Sequence, residues 1–185
     1  MRTGPVARNY AEALLAVGQR HDAVVPYGVL LDAVAGAVAT EPRLAAVLES
    51  PRVPKARKKQ LLRTALAAFA PDPFVRFLES VVQRGRQGIL SEMSAEYEML
   101  VDRHLNRIHA GVTTAHAVDP ELARSIATSL SAVVGKEVLP HYHIDPRLLG
   151  GLIVRVGDRV LDGSLRRRLL RLRYAMLHAR TGSGA

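Results

Sequence analysis

The 185-residue chain carries 26 Lys and Arg against 17 Asp and Glu, a net charge of +9, and contains neither Cys nor Trp. Disulfides, thiolate catalysis, iron–sulfur clusters and Cys-ligated zinc are excluded, and 48% hydrophobic residues exclude a disordered chain. With only 4% aromatic residues the core is expected to be aliphatic, and its Ala, Leu and Val favour helix overall.

No apolar run reaches the roughly 18 residues of a bilayer span. The stretch Val29–Val38 is broken by Asp32 and Gly36. The opening Met1-Arg-Thr-Gly-Pro5 lacks the apolar run of a signal peptide. A soluble, intracellular protein is expected, reaching a membrane only through partners or surface charge.

Residues 1–105 read as helical almost throughout. Pro5 suits a first turn, and Val6, Tyr10, Leu14 and Val17 follow at helical spacing until Gly18 closes the helix. Tyr27, Leu31, Val34 and Val38 mark a second helix. A short third opens at Glu41-Pro42, carries Leu44, Val47 and Leu48, and stops at Ser50-Pro51, because a residue before proline avoids the helical region. Pro54 starts a fourth, with Leu61, Leu62, Ala65 and Leu66 as its apolar face. Pro71-Asp72-Pro73 is a turn with Asp72 as N-cap. The fifth helix has the clearest stripe, Phe74, Phe77, Leu78, Val81 and Val82, and ends at Gly85 and Gly88. A sixth starts near Ile89, with Met93, Tyr97, Leu100 and His104 on one side.

The pattern changes after residue 106. Gly111–Val118 is β-branched without helical period and predicts a strand. Asp119-Pro120-Glu121 predicts a helix start, followed by Leu122, Ile126, Leu130 and Val133 and closed by Gly135. Val138–Ile144 and Gly151–Val156 read as strands, with Gly157-Asp158 turning the second back into Arg159–Leu161. Asp162-Gly163-Ser164 caps a last helix whose core stripe is expected to be Leu165, Leu169, Leu172 and Met176. Thr181–Ala185 reads as a frayed tail. The fold class is therefore mainly α, with a helical first part and a smaller α/β second part.

No catalytic constellation emerges. Gly150-Gly151 lacks the Lys and Ser/Thr of a phosphate loop and leads into a strand. No Gly-x-Ser-x-Gly elbow occurs, and no spacing forces two carboxylates together. His141 and His143 point to one strand face and are the best metal pair, with Asp145 on that face if the strand continued. A third ligand is missing from the sequence neighbourhood, so a half-exposed strand face is the preferred reading. The basic excess is concentrated late: 14 basic and 11 acidic residues precede residue 106, and 12 and 6 follow. Arg166, Arg167, Arg168, Arg171, Arg173 and Arg180 dominate the last helix. They suit phosphates, an acidic protein partner, or a solvated face. Lys55-Ala-Arg-Lys-Lys59 is a second basic run, preferred as a solvated face.

Three segments together resemble one family, the delta subunit of bacterial F-type ATP synthases, related to the mitochondrial oligomycin-sensitivity-conferring protein. They are Arg8-Asn-Tyr-Ala-Glu-Ala-Leu14, Phe77-Leu-Glu-Ser-Val-Val-Gln-Arg-Gly-Arg86, and the run from Leu149 to Leu170. The last is the most specific: a Gly-Gly strand start, a Gly-Asp turn and an Asp-Gly-Ser-x-Arg helix start in series. Arg167 departs from the glycine often seen there, and His141 and His143 stand where acids are common.

The resemblance implies an N-terminal six-helix bundle, residues 1–105, and a smaller α/β domain, residues 106–185. It implies a non-catalytic stator subunit with no cofactor, metal or direct nucleotide binding, at the cytoplasmic face of the bacterial cell membrane and held there only through the complex. The bundle would hold the N-terminal helix of an alpha subunit between its first and fifth helices. Val6, Tyr10, Ala11, Leu14, Phe74, Phe77, Leu78 and Val81 are then open to core or groove use, and Ala7, Ala11, Ala13 and Ala16 would admit a helix closely. The C-terminal part would meet the b-subunit stalk. Gly150, Gly151, Gly157, Asp158, Asp162, Gly163, Ser164, Arg166 and Arg168 would serve that contact or the local fold. The alternative reading is a basic nucleic-acid-binding helical protein.

Overall fold

The structure, a computed structural model, describes residues 4–179. Arg180 and the expected tail Thr181–Ala185 lie outside the described residues. The chain divides into two compact units, one ending at Leu105 and one beginning at Asn106.

The first unit contains α1 (Gly4–Arg20), α2 (Val24–Thr40), α3 (Pro42–Glu49), α4 (Lys55–Leu66), α5 (Asp72–Gln83), a 3-10 turn (Gln87–Ile89) and α6 (Leu90–His104). Helix α6 packs on both α1 and α2, while α5 packs on α4 and α1. The faces that meet are the periodic ones: Leu14 from α1, Tyr27 and Leu31 from α2, Phe74, Leu78 and Val81 from α5, Met93 and Tyr97 from α6. Ala7 and Ala11 are also fully buried. Their small side chains let the α1 backbone approach its own neighbours, leaving neither alanine for an outside helix. Two expected helix ends shift. Gly18 lies inside α1, buried where a Cβ would stand 3.2 Å from both the Tyr97 hydroxyl and the Val24 Cα. Asp72 is the first helical residue of α5 rather than its cap; it pairs with Arg76 at 2.7 Å, one turn on.

Helix α4 departs from its expected face. Leu62 is buried, Ala65 is exposed, and Lys58, one turn before Leu62, is only 5% exposed. A charge-based reading of Lys55–Lys59 as a solvated face misses that burial. No single helix among the described residues is long and apolar enough to cross a membrane.

The second unit is a four-stranded sheet with two helices: β1 (Arg107–Thr114), α7 (Pro120–Val134), β2 (Glu137–Ile144), β3 (Leu152–Val156), β4 (Arg159–Asp162) and α8 (Leu165–Ala179). The strand order is β2-β1-β3-β4. Strands β1 and β2 are parallel, joined by the α7 crossover; β3 is antiparallel to β1 and to β4. Strand β1 begins and ends four residues before the expected Gly111–Val118, because Arg107 pairs with Glu137 at 2.6 Å and extends the ladder through a polar start.

Asp119 caps α7 as expected, accepting from the Glu121 and Leu122 amides at 3.0 and 2.8 Å. Gly135 closes the helix at φ +72°. Leu130 and Val134 pack against Ala110, Val112, Val138 and Val154. Leu122 and Val133, read as part of that stripe, are exposed, Val133 by 76%. The larger correction concerns α8. Its expected core residues Leu165, Leu169, Leu172 and Met176 are 42 to 65% exposed, as are Leu170, Tyr174 and Leu177. Periodicity identified an apolar face, but the unit does not cover it.

Candidate functional site

Two surfaces stand out, one in each unit. The first is a cleft of about 420 Å³ between α1 and α5. Its α1 wall is Val6, Asn9, Tyr10 and Ala13; its α5 wall is Phe77 and Ser80, continued by the capping residue Arg84 and by Arg86 beyond the helix end. Each wall is a row at i, i+3/i+4 and i+7, the spacing that aligns side chains along one helix edge. Tyr10 and Phe77 meet edge-to-face across it, ring centroids 6.5 Å apart. The Ser80 hydroxyl turns back to donate to the Phe77 carbonyl at 2.7 Å.

Of the residues marked as core or groove, Val6, Tyr10 and Phe77 line the cleft. Ala11, Leu14, Phe74, Leu78 and Val81 lie in the buried core beneath it. The same stripe thus serves both uses, divided by helix angle. Among the alanines, Ala13 lines the cleft, Ala16 is exposed, and Ala7 and Ala11 are core. Asn9, Ser80, Arg84 and Arg86 were missed, because a search for apolar spacing passes over polar wall residues.

The second surface begins at a tight junction. Gly150 and Gly151 have φ of +148° and +80°. A Cβ on Gly151 would stand 2.5 Å from the Gly163 carbonyl and 3.0 Å from the Ser164 Cα. Gly163 donates to Leu152 at 2.9 Å, and Leu165 donates to Gly150 at 3.0 Å. Ser164, itself buried, accepts from the Arg167 amide at 3.2 Å and caps α8. Asp162 accepts from the Ser164 amide at 2.9 Å. Hydrogen bonding from Ser164 holds the Asp162 carboxyl below its ordinary range. Gly157, at φ +56°, and Asp158 form the two-residue β3–β4 turn. These residues position the start of α8, which then presents Arg166, Arg168 and its leucines to solvent.

The profile of the ATP synthase delta (OSCP) subunit family matches residues 6–176. The chain belongs to this family. The ATP synthase subunit delta of Gemmatimonas aurantiaca is 45% identical over 171 residues, 92% of each chain. That of Desulforamulus reducens is 33% identical over 177 residues, covering 96% of this chain and 98% of the relative. A chain in the mitochondrial ATP synthase hexamer of Toxoplasma gondii shares the fold, with a TM-score of 0.57 at 21% identity, over 92% of this chain and 97% of that one.

A delta-family chain is a structural, non-catalytic stator subunit of ATP synthase, and the nucleic-acid alternative is set aside. Among the described residues of this delta-family chain no group of three or more His, Cys, Asp or Glu could hold a metal ion, and the partner of His141 is another histidine. The His141 Nε2 lies 2.6 Å from the Nδ1 of His109 on the neighbouring strand, with the rings stacked at 4.9 Å. Asp145 accepts from the Arg147 amide at 3.0 Å in a local turn. His109 was invisible to local spacing, because the parallel register pairs β1 with β2 residues 30 positions on and so brings it to His141, 32 residues away.

Proposed function

We propose that the two surfaces divide the stator's task. The α1–α5 cleft holds the N-terminal helix of an alpha subunit of the catalytic head. The α8 face, set by the Gly150-Gly151 junction, meets the b-subunit peripheral stalk at the cytoplasmic face of the membrane. Residues 1–105 act as a six-helix bundle for the first contact and residues 106–185 as the α/β domain for the second. A stator resists rotor torque so that proton-driven rotation is converted into ATP synthesis. It needs contacts that dissociate slowly, which packed apolar surface supplies.

The observation that carries this reading is the pair of side-chain rows that α1 and α5 present to one cleft. Two helix edges lining one cleft, with Tyr10 and Phe77 meeting across it, are suited to an amphipathic helix laid along the cleft. The test is calorimetric titration with a peptide of about the first twenty residues of the same organism's alpha subunit. Binding near one to one, with a negative heat-capacity change from apolar burial, is expected. A folded protein that gives no heat at any temperature would sink the assignment.

A further inference from the structure

The cleft is electrically one-sided, and the inference that follows rests on its proposed role as the alpha-subunit site. We propose that Arg84 and Arg86 form an acid-reading end of the cleft. They select a bound helix that carries a carboxylate about two turns from the residue packed against Tyr10 and Phe77.

The end of α5 fixes these arginines. Gly85 donates to the Val82 carbonyl and Arg86 to the Val81 carbonyl, both at 3.0 Å, with Gly85 at φ +66°. This nested pair is the Schellman closure, in which a left-handed glycine turns the chain sharply off the helix. The backbone of Arg84 and Arg86 is thereby held at the mouth of the cleft. Lys55 adds a third cation nearby, its ammonium donating to the Gln83 carbonyl at 2.8 Å.

No acid within the described residues is paired with either arginine. The acids of α5 are engaged elsewhere, Asp72 with Arg76 at 2.7 Å and Glu79 with Arg63 at 2.9 Å. The remaining polar wall residues, Asn9 and Ser80, are neutral. A helix docked in the cleft would therefore strip water from two uncompensated guanidiniums. Desolvating a charge without a partner is strongly unfavourable. A wholly apolar or basic helix end is thus disfavoured, while a carboxylate accepts the planar guanidinium fork in two parallel bonds. The arrangement discriminates by penalty as well as by attraction.

The spacing places the carboxylate. Phe77 and Arg84 are seven residues apart on one helix edge, about 10 Å along the axis. A bound helix running along α5 therefore needs its acid about seven residues from its apolar anchor.

The test uses the full chain and the alpha-subunit peptide described above, titrated at low and high salt. Wild type is expected to bind several-fold more weakly at high salt. Arg84→Ala/Arg86→Ala is expected to bind roughly tenfold more weakly at low salt and to lose most of that salt dependence. Tyr10→Ala is expected to weaken binding equally at both salt concentrations. The exposed arginines contribute only backbone hydrogen bonds to the closure, which alanine retains, and circular dichroism checks the fold. A double variant that binds like wild type overturns the acid-reading end and leaves the cleft assignment standing. A wild type that does not bind overturns both. Arg84→Glu/Arg86→Glu paired with a peptide whose acids are changed to Lys is expected to recover affinity; failure of that recovery also overturns the inference.

Discussion

The Tyr97 hydroxyl on α6 donates a 2.8 Å hydrogen bond to the carbonyl of Val24, the first residue of α2. The ring is fully buried, and two glycines make room for it. A Cβ on Gly28 would stand 3.2 Å from its Cε1, and one on Gly18 would stand 3.2 Å from its hydroxyl. The contact ties α1, α2 and α6 together at one point. Tyr97→Phe keeps the ring but removes this hydrogen bond. It should cost about 1–2 kcal/mol in chemical denaturation.

The same burial pushes the Tyr97 phenol up to about 12, with a smaller contribution from Tyr27. The unfolded chain therefore loses this proton near pH 10, while the folded chain keeps it. The stabilisation is complete below pH 10 and falls as pH rises toward 12, by roughly 3 kcal/mol at the upper end. Denaturation midpoints measured from pH 9 to 12 should fall in wild type and flatten in Tyr97→Phe. Burial also raises Tyr27, which leaves a residual slope in the variant. Equal slopes in the two proteins would refute the assignment.

Two glycines with positive φ should behave differently. Gly151 combines φ +80° with a Cβ position 2.5 Å from the Gly163 carbonyl; Gly157 has φ +56° and open space. Gly157→Ala should cost about 1 kcal/mol, the strain alone. Gly151→Ala adds a backbone clash and should cost several kcal/mol. It should also release the Leu165 amide, bonded to Gly150, to faster hydrogen exchange. Similar stability losses in the two variants would refute the docking argument.

Acid should loosen the same junction. The folded Asp162 carboxyl sits below its ordinary value of 3.8, first through its bonds to Ser164. Its stabilisation is present above about pH 3.8 and is lost as pH falls through the lower folded value. The Ser164 amide shift in an NMR titration should move with that low midpoint. Asp162→Asn should abolish the transition. An unshifted midpoint at 3.8 would count against the bond.

Much of this was legible because local chemistry determined it. The α5 stripe, the Asp119-Pro120 start, the Gly135 stop and the β3–β4 turn need only neighbours in sequence. What stayed hidden depends on distant partners. Ala7 and Ala11 carry too little apolar area to mark a core face, yet are buried because α6 comes close. His109 meets His141 only through the parallel register. The cleft walls were half legible: Val6, Tyr10 and Phe77 belong to the periodic stripe, but Arg84 and Arg86 look like an ordinary solvated helix end. Helix α8 shows the same limit from the other side. A single sequence reveals that a helix has an apolar face, not what covers it.

That face has a regular seam. Leu165, Leu169, Leu172 and Met176 are spaced four, three and four residues apart, the repeat of a coiled-coil edge. Arg166, Arg168 and Arg173 flank it. A helix from the b-subunit stalk with apolar seam positions and acidic flanks would complement it. Leu169, 59% exposed, is the sharpest probe. Leu169→Asp removes an apolar contact and places an acid in the seam. If the seam is an interface, the variant should unfold within about 0.5 kcal/mol of wild type, as surface substitutions do. Its affinity for a soluble b-subunit dimer, measured by calorimetry, should fall at least tenfold. Arg166→Glu/Arg173→Glu should weaken the same binding chiefly at low salt, because rim charges act over a screened range. A loss of several kcal/mol in the stability of Leu169→Asp would instead mean that α8 packs its leucines within the subunit, and the stalk contact would have to be sought elsewhere.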